Sequence, residues 1–140
     1  MVQEDSRLVE WSGEHQSQFY WRSIQAMDML QLEEQGNGVL LTYRVEKHPE
    51  GQIVQRIDCT WPCTGAQDVT DLFASAPIGK WQKTGISLSC FAQAGADLSV
   101  VNIPFLLTSS DAFAITIKDV RIDTVADSDM QNCNPIKVAY

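Results

Sequence analysis

Period-two alternation constrains this chain more than any other feature. Phe113, Ile115 and Ile117 alternate with Ala114 and Thr116, and Val120 and Ile122 alternate with Asp119, Arg121 and Asp123. Ile86, Leu88 and Cys90 alternate with Ser87 and Ser89, and Val39, Leu41, Tyr43 and Val45 take every second position of a fourth run. Successive side chains of a strand point to opposite faces, so each run predicts a strand with one buried face. A succession of such runs reads as an all-β sandwich. A polar tail follows Ile122.

Other segments fill in the organisation. Leu8 to Trp11 predicts a first strand, with Trp11 in the core. Glu14 to Gln35 contains Phe19, Tyr20, Trp21, Ile24, Met27, Met29, Leu30 and Leu32 with neither helical nor strand period. We expect an irregular segment there, crossing the sandwich edge with a short strand inside. Gly36-Asn37-Gly38 interrupts it. His48-Pro49-Glu50-Gly51 makes a turn, and Ile53, Ile57 and Cys59 return as a partner strand, which predicts a β-hairpin over residues 38–60. Asp68 to Ala74 predicts one helical turn with Asp68 or Thr70 as its N-cap. Trp81 is expected to begin a core-facing strand.

The 140 residues suit a single module over 1–140, large enough for one real core. There is no internal repeat and no low-complexity linker. The formal net charge of −8 opposes binding to nucleic acid or anionic membrane surfaces. No run of about 18 apolar residues predicts a membrane-spanning helix. Met-Val-Gln-Glu-Asp at the start lacks the basic and apolar regions of a secretory signal. Either the protein is intracellular, or it is a module whose export signal lies elsewhere on a longer chain.

Cys59, Cys63, Cys90 and Cys133 permit three full pairings. Cys59 and Cys63 come within disulfide reach if the chain turns at Trp61-Pro62, and that bridge is favoured. A second bridge from Cys90 to Cys133 would tie the tail to the end of a core strand. Buried free thiols are the competing reading; a zinc site has the wrong spacing for a paired ribbon.

The order of motifs resembles a known family. Gln3-Glu4-Asp5-Ser6-Arg7, Trp11-Ser12-Gly13, Leu41-Thr42-Tyr43-Arg44-Val45, Cys59 through Pro62-Cys63-Thr64-Gly65 to Asp68-Val69-Thr70, Trp81, Ile86 to Phe91, Gly95 to Leu98, Pro104-Phe105 and Asp119-Val120-Arg121 are similar, in that order, to the C-terminal galactose-binding-like domain of bacterial family 3 glycoside hydrolases. The resemblance covers nearly the whole chain. It implies a galactose-binding-like jelly-roll β-sandwich, the C-terminal fragment of a longer exported β-glucosidase or β-glucan glucohydrolase, periplasmic or secreted. Its role would be non-catalytic: to pack on the catalytic domains and contact β-glucan. A free-standing carbohydrate-binding or protein-interaction module is the alternative. Thr84-Gly85 departs from the family pattern, which has an apolar residue near Thr84, so a bulge is expected there.

No chemistry of catalysis stands out. His15 and His48 have no nucleophile motif beside them. Glycoside hydrolysis needs two carboxylates flanking the scissile bond. The family nucleophile is an aspartate often set in Ser-Asp-Trp, whereas Ser110-Asp111 runs on to Ala112 and Ser128-Asp129 to Met130. No active-site residue carries over, and no enzyme activity is expected of the chain alone. No cofactor is expected. Asp5, Asp97 and Asp119 are the candidates for calcium ligands, read here as solvent-facing or turn-capping aspartates. Sugar binding needs aromatic faces with hydroxyl-bonding groups around them. Trp61, Trp21 and Tyr20 are the exposed candidates, since Trp11 and Trp81 are assigned to strands. Glu4, Asp5 and Arg7 precede the first strand and are candidates for interdomain contact.

Overall fold

The computed structural model describes residues 6–14 and 17–137. Two antiparallel sheets face each other. The first holds β1 (Arg7–Trp11), β8 (Phe113–Thr124), β3 (Asn37–Lys47) and β6 (Trp81–Ser87), in that order. The second holds β2 (Ser17–Trp21), β7 (Val101–Ser109), β4 (Ile53–Cys59), β5 (Cys63–Asp68) and the short β9 (Pro135–Ile136). Among the described residues three short helices, α1 (Leu30–Glu34), α2 (Thr70–Ala74) and α3 (Leu88–Gln93), close the connections, and a 3-10 turn (Asp127–Asp129) leads into the tail. Among the described residues no helix is long and apolar enough to cross a membrane.

The alternating positions meet between the sheets. Val39, Leu41, Tyr43 and Val45 of β3, Ile115 and Ile117 of β8, Ile53 and Ile57 of β4, and Phe105 and Leu107 of β7 are all buried. Phe73 of α2 enters this core from the end. Its ring meets Tyr43 edge-on at 5.0 Å and Phe113 at 5.5 Å, and Trp11 stacks on Phe113 at 5.4 Å. The core placement of Trp11 thus holds, as do the irregular stretch before β3, with β2 and α1 inside it, and the helical turn after Asp68. The N-cap of that helix is neither Asp68 nor Thr70 but Val69, which makes no side-chain cap bond; Asp68 Oδ1 instead accepts from the Thr70 amide at 2.9 Å, just ahead of the helix.

Four further expectations are corrected. β3 and β4 do not form a hairpin, because both edges of β3 are taken by β6 and β8, and β4 lies in the opposite sheet between β7 and β5. The His48–Gly51 connection turns a corner of the sandwich. Alternation specifies which face of a strand is buried, not which strand lies beside it. Second, β6 stops at Ser87 and the run Leu88–Gln93 is helical. Ser87 Oγ accepts from the Ser89 amide, capping α3. Leu88 and Phe91, three apart, are both fully buried. Gly95, at φ 119°, ends the helix, with its amide bonded to Ala92 O and the Ala96 amide to Phe91 O.

Third, Trp81 is 44 % exposed on the outer face of the first sheet, with Arg44 Cζ 4.9 Å and Lys118 Nζ 5.7 Å from its ring centroid. Thr84 and Ile86 face inward, so strand parity sends Trp81 outward. Fourth, no bulge occurs at Thr84-Gly85, since pairing with β3 runs without a shift from Gly38↔Ser87 to Arg44↔Trp81. The polar residue is simply buried: Thr84 is 2 % exposed, and its Oγ1 has no hydrogen-bond partner among the described residues. Gly85 instead admits Val125, whose Cγ1 would lie 2.5 Å from an added Cβ. Thr84→Val removes the unpaired hydroxyl at constant shape and should stabilise the fold by about 1 kcal/mol, read as a raised denaturation midpoint at unchanged m-value.

The favoured Cys59–Cys63 bridge is present, spanning 4.9 Å between Cα atoms, and the second bridge considered, Cys90–Cys133, forms as well and spans 5.3 Å.

Three carboxylates tie the fold to pH. The Thr116 hydroxyl, and then Arg44, hold Glu46 below its ordinary value of 4.5. Burial pushes Asp68 up, but bonds from the Thr70 hydroxyl and amide and from Gln52 outweigh it and leave its pKa below 3.8. The Ser99 hydroxyl and amide lower Asp97. A folded-state pKa below the unfolded one gives a contribution that is complete above the unfolded value and is lost as pH falls through the folded value. Unfolding temperature should therefore hold steady from pH 7 to about 5 and decline as pH falls below about 4. Glu46→Gln and Asp68→Asn should each flatten that acid limb.

Candidate carbohydrate-contact face

Strand parity separates the aromatic candidates. On β2, Phe19 and Trp21 face inward against Phe105, at 6.3 and 6.1 Å, while Tyr20 faces out and is 46 % exposed. Trp21 therefore cannot share a site with Tyr20. Its ring borders an apolar cavity of about 200 Å³ with Met27, Met29, Leu32 and Ile122.

Trp61 stands at the tip of the β4–β5 hairpin and is 71 % exposed. The Cys59–Cys63 disulfide closes the base of this turn, and the Trp61–Pro62 peptide is cis. Behind the disulfide, the Asp97 amide donates to Cys59 Sγ at 3.3 Å. The hairpin thus presents a large aromatic face on a short covalently closed loop. Arg22, Asp58, Asn102 and Ile103 line a cavity of about 180 Å³ at its foot.

The registers place these residues on one surface. Tyr20 pairs with Leu106, Leu106 with Arg56 and Arg56 with Ala66, giving a row across the outer face of the second sheet. One step along β4, Asp58 lies opposite Thr64 on one side and Ile103 on the other. Tyr20 and Trp61 project from this face, while Leu106 and Ala66, each 1 % exposed, are buried in the row between them. Arg56 Nε lies 3.0 Å from Asp58 Oδ1, with only 12 % and 16 % of the two side chains exposed. The contact is an ion pair without hydrogen-bond alignment at Nε. Asp58 Oδ1 also accepts from Thr64 Oγ1 at 2.6 Å.

The structure brings Trp61 and Tyr20 to one face and excludes Trp21 from it. Arg56, Asp58 and Asn102 were missed. Their signal was present, since Arg56 and Asp58 occupy the outward positions between inward Gln55, Ile57 and Cys59, but a paired charge on a strand also reads as an ordinary solvated face. Of the interdomain candidates, Glu4 and Asp5 lie outside the described residues, as does His15; Arg7 is exposed at the start of β1, opposite Ile117. His48 is structural, its Nε2–H donating to Ala76 O at 2.7 Å. Asp97 caps its own turn through Ser99, and Asp119 pairs with Arg121 at 2.7 Å. Among the described residues no three His, Cys, Asp or Glu side chains gather as a metal site would require.

The Exop_C family model, described as galactose-binding domain-like, matches residues 1–122. Comparison with curated protein sequences gave no match. Among solved structures, the extra C-terminal domain (X) of exo-1,3/1,4-β-glucanase (ExoP) from a Pseudoalteromonas species superposes with a TM-score of 0.65 at 18 % identity, covering 95 % of this chain and 70 % of that one. The intact exo-1,3/1,4-β-glucanase of the same bacterium gives 0.66 at 19 % identity, with 91 % of this chain matched to only 15 % of the enzyme. The family 30 carbohydrate-binding module of cellulosomal cellulase Cel9D-Cel44B of Clostridium thermocellum gives 0.60 at 17 % identity, covering 78 % and 66 % of the two chains. At these identities the likeness is one of fold.

Proposed function

The chain belongs to the Exop_C galactose-binding domain-like family, and from that premise we propose that it is a non-catalytic accessory module of a family 3 β-glucosidase or β-glucan glucohydrolase. In this reading it packs on the catalytic domains and contacts β-glucan through the outer face of the second sheet. The exposed Trp61 platform on its disulfide-closed hairpin carries the reading. An aromatic face covers the apolar C–H face of a pyranose, and Arg22, Asp58 and Asn102 at its foot can bond ring hydroxyls. One stacked ring with few polar partners supports weak affinity, with Kd around 1 mM, roughly −4 kcal/mol. Two disulfides suit an oxidising compartment, the periplasm or the exterior of the cell.

Affinity gel electrophoresis through soluble β-glucan tests the contact. Retardation of the parent chain, lost in Trp61→Ala and unchanged in Trp21→Ala, is the expected result. Equal retardation of the parent and Trp61→Ala would move the site elsewhere. The isolated chain is expected to release no chromophore from aryl β-glucosides. Turnover abolished by a single carboxylate substitution would contradict an accessory role.

A further inference from the structure

The site proposed above raises the question of what length and charge of glycan it takes, and the following inference rests on that assignment. Tyr20 and Trp61 are too far apart to serve one sugar. Tyr20 and Arg56 share a row two strands apart, roughly 10 Å across the sheet. Three residues of β4 then carry the chain from Arg56 to Cys59 at the base of the Trp61 turn, roughly another 10 Å along the strand. A single pyranose cannot reach both rings, whereas several linked units can.

Between the two aromatics lie Arg56 and Asp58. Their side chains are 12 % and 16 % exposed, and the ion contact of 3.0 Å fixes one against the other. Thr64 fixes Asp58 from the far side at 2.6 Å. A guanidinium held this way is already oriented, and a hydrogen bond made at a largely desolvated donor is stronger than one made in water. Asp58 supplies the complementary acceptor. An adjacent donor and acceptor of this kind match neighbouring hydroxyls of a sugar ring. The pair is also electrically closed: Asp58 neutralises Arg56, in a chain of formal net charge −8, so a polyanionic glycan gains little from Arg56 and is repelled by the remainder.

We propose that this outer face of the second sheet takes an internal stretch of an extended, uncharged glycan, with Tyr20 and Trp61 contacting separate sugar units and the Arg56–Asp58 pair reading hydroxyls between them. Arg56 is then a specificity-determining residue for binding.

Calorimetry on the folded chain with β-linked gluco-oligosaccharides of one to six units tests this. Affinity should be undetectable for glucose and rise at least tenfold between the dimer and the pentamer. Arg56→Lys keeps the charge and stem but loses the planar fork. It should weaken hexamer binding at least tenfold while the unfolding temperature stays within a few degrees of the parent. Arg56→Met/Asp58→Asn removes the charges together, so no buried carboxylate is left unpaired, and should weaken hexamer binding to the same degree. A polyuronate should not compete. Equal affinity for dimer and hexamer, competition by the polyuronate, or parental binding by Arg56→Lys would each overturn the inference, and if Trp61→Ala still abolished binding the glucan-contact assignment would stand without it. A parent chain that bound no oligosaccharide and was not retarded by polymeric glucan would overturn both.

Discussion

Cys90→Ala/Cys133→Ala should lose about 4 kcal/mol of stability relative to the parent chain, the entropy released to the unfolded state when a loop of this length is no longer closed. The bridged residues are 43 apart in sequence. A smaller cost, about 2 kcal/mol, is expected for the Cys59–Cys63 bridge, whose cysteines are only 4 apart. The longer bridge also positions the tail. Asn134 donates its amide to Gln67 Oε1 at 2.6 Å and accepts from the Asp68 amide at 2.9 Å, and β9 pairs Ile136 with Ala66. Without the covalent tie these few bonds must hold the segment alone. Denaturant unfolding should show the stability loss, and hydrogen exchange should show lost protection at Asp68 and Asn134 first. A double variant within about 1 kcal/mol of the parent would mean that the unfolded state was already compact across this loop.

Phe73→Ala should cost about 3–5 kcal/mol, a large fraction of the stability of an ordinary domain. Phe73 is fully buried, and its ring is held between Tyr43 and Phe113. The helix that carries it has five residues and too few internal bonds to persist alone. Loss of the ring therefore opens a cavity and also releases α2. Trp61→Ala provides the contrast: it removes a larger ring that is mostly in solvent, and stability should change by no more than about 0.5 kcal/mol. A Phe73→Ala variant as stable as Trp61→Ala would contradict the core described here.

Much of the sandwich was legible because its strands are long enough for parity to show. Residues 39–45 and 113–117 alternate through several cycles, and a strand with one buried face is the simplest arrangement that accommodates them. Parity also contained the outward placement of Trp81, five residues before inward Ile86, which the expectation of a core-facing start to that strand does not meet. Leu88 to Gln93 was ambiguous in principle. Three apolar residues at alternate positions fit a strand, while Leu88 with Phe91 fits one helical turn, and only the Ser87 cap and the Gly95 termination distinguish them.

The candidate face was less legible, because its members come from separate strands. Trp61 stood out beside Pro62 between two cysteines, and the turn that this spacing predicted is the one that forms. Nothing local joins Tyr20 to Arg56, which are 36 positions apart in sequence and meet in one row only through Leu106 of β7. Periodicity, cysteine spacing and composition by themselves determined an all-β chain and the inward face of most strands, and favoured the Cys59–Cys63 bridge, because these depend on side-chain direction and on short-range chain geometry. Only the tertiary structure decided that β3 and β4 lie in opposite sheets, that Trp21 turns inward while Tyr20 turns out, and that Arg56 and Asp58 lie between two aromatic side chains. Those outcomes depend on which strands become neighbours, and neighbours are chosen by how the whole set of apolar faces packs together.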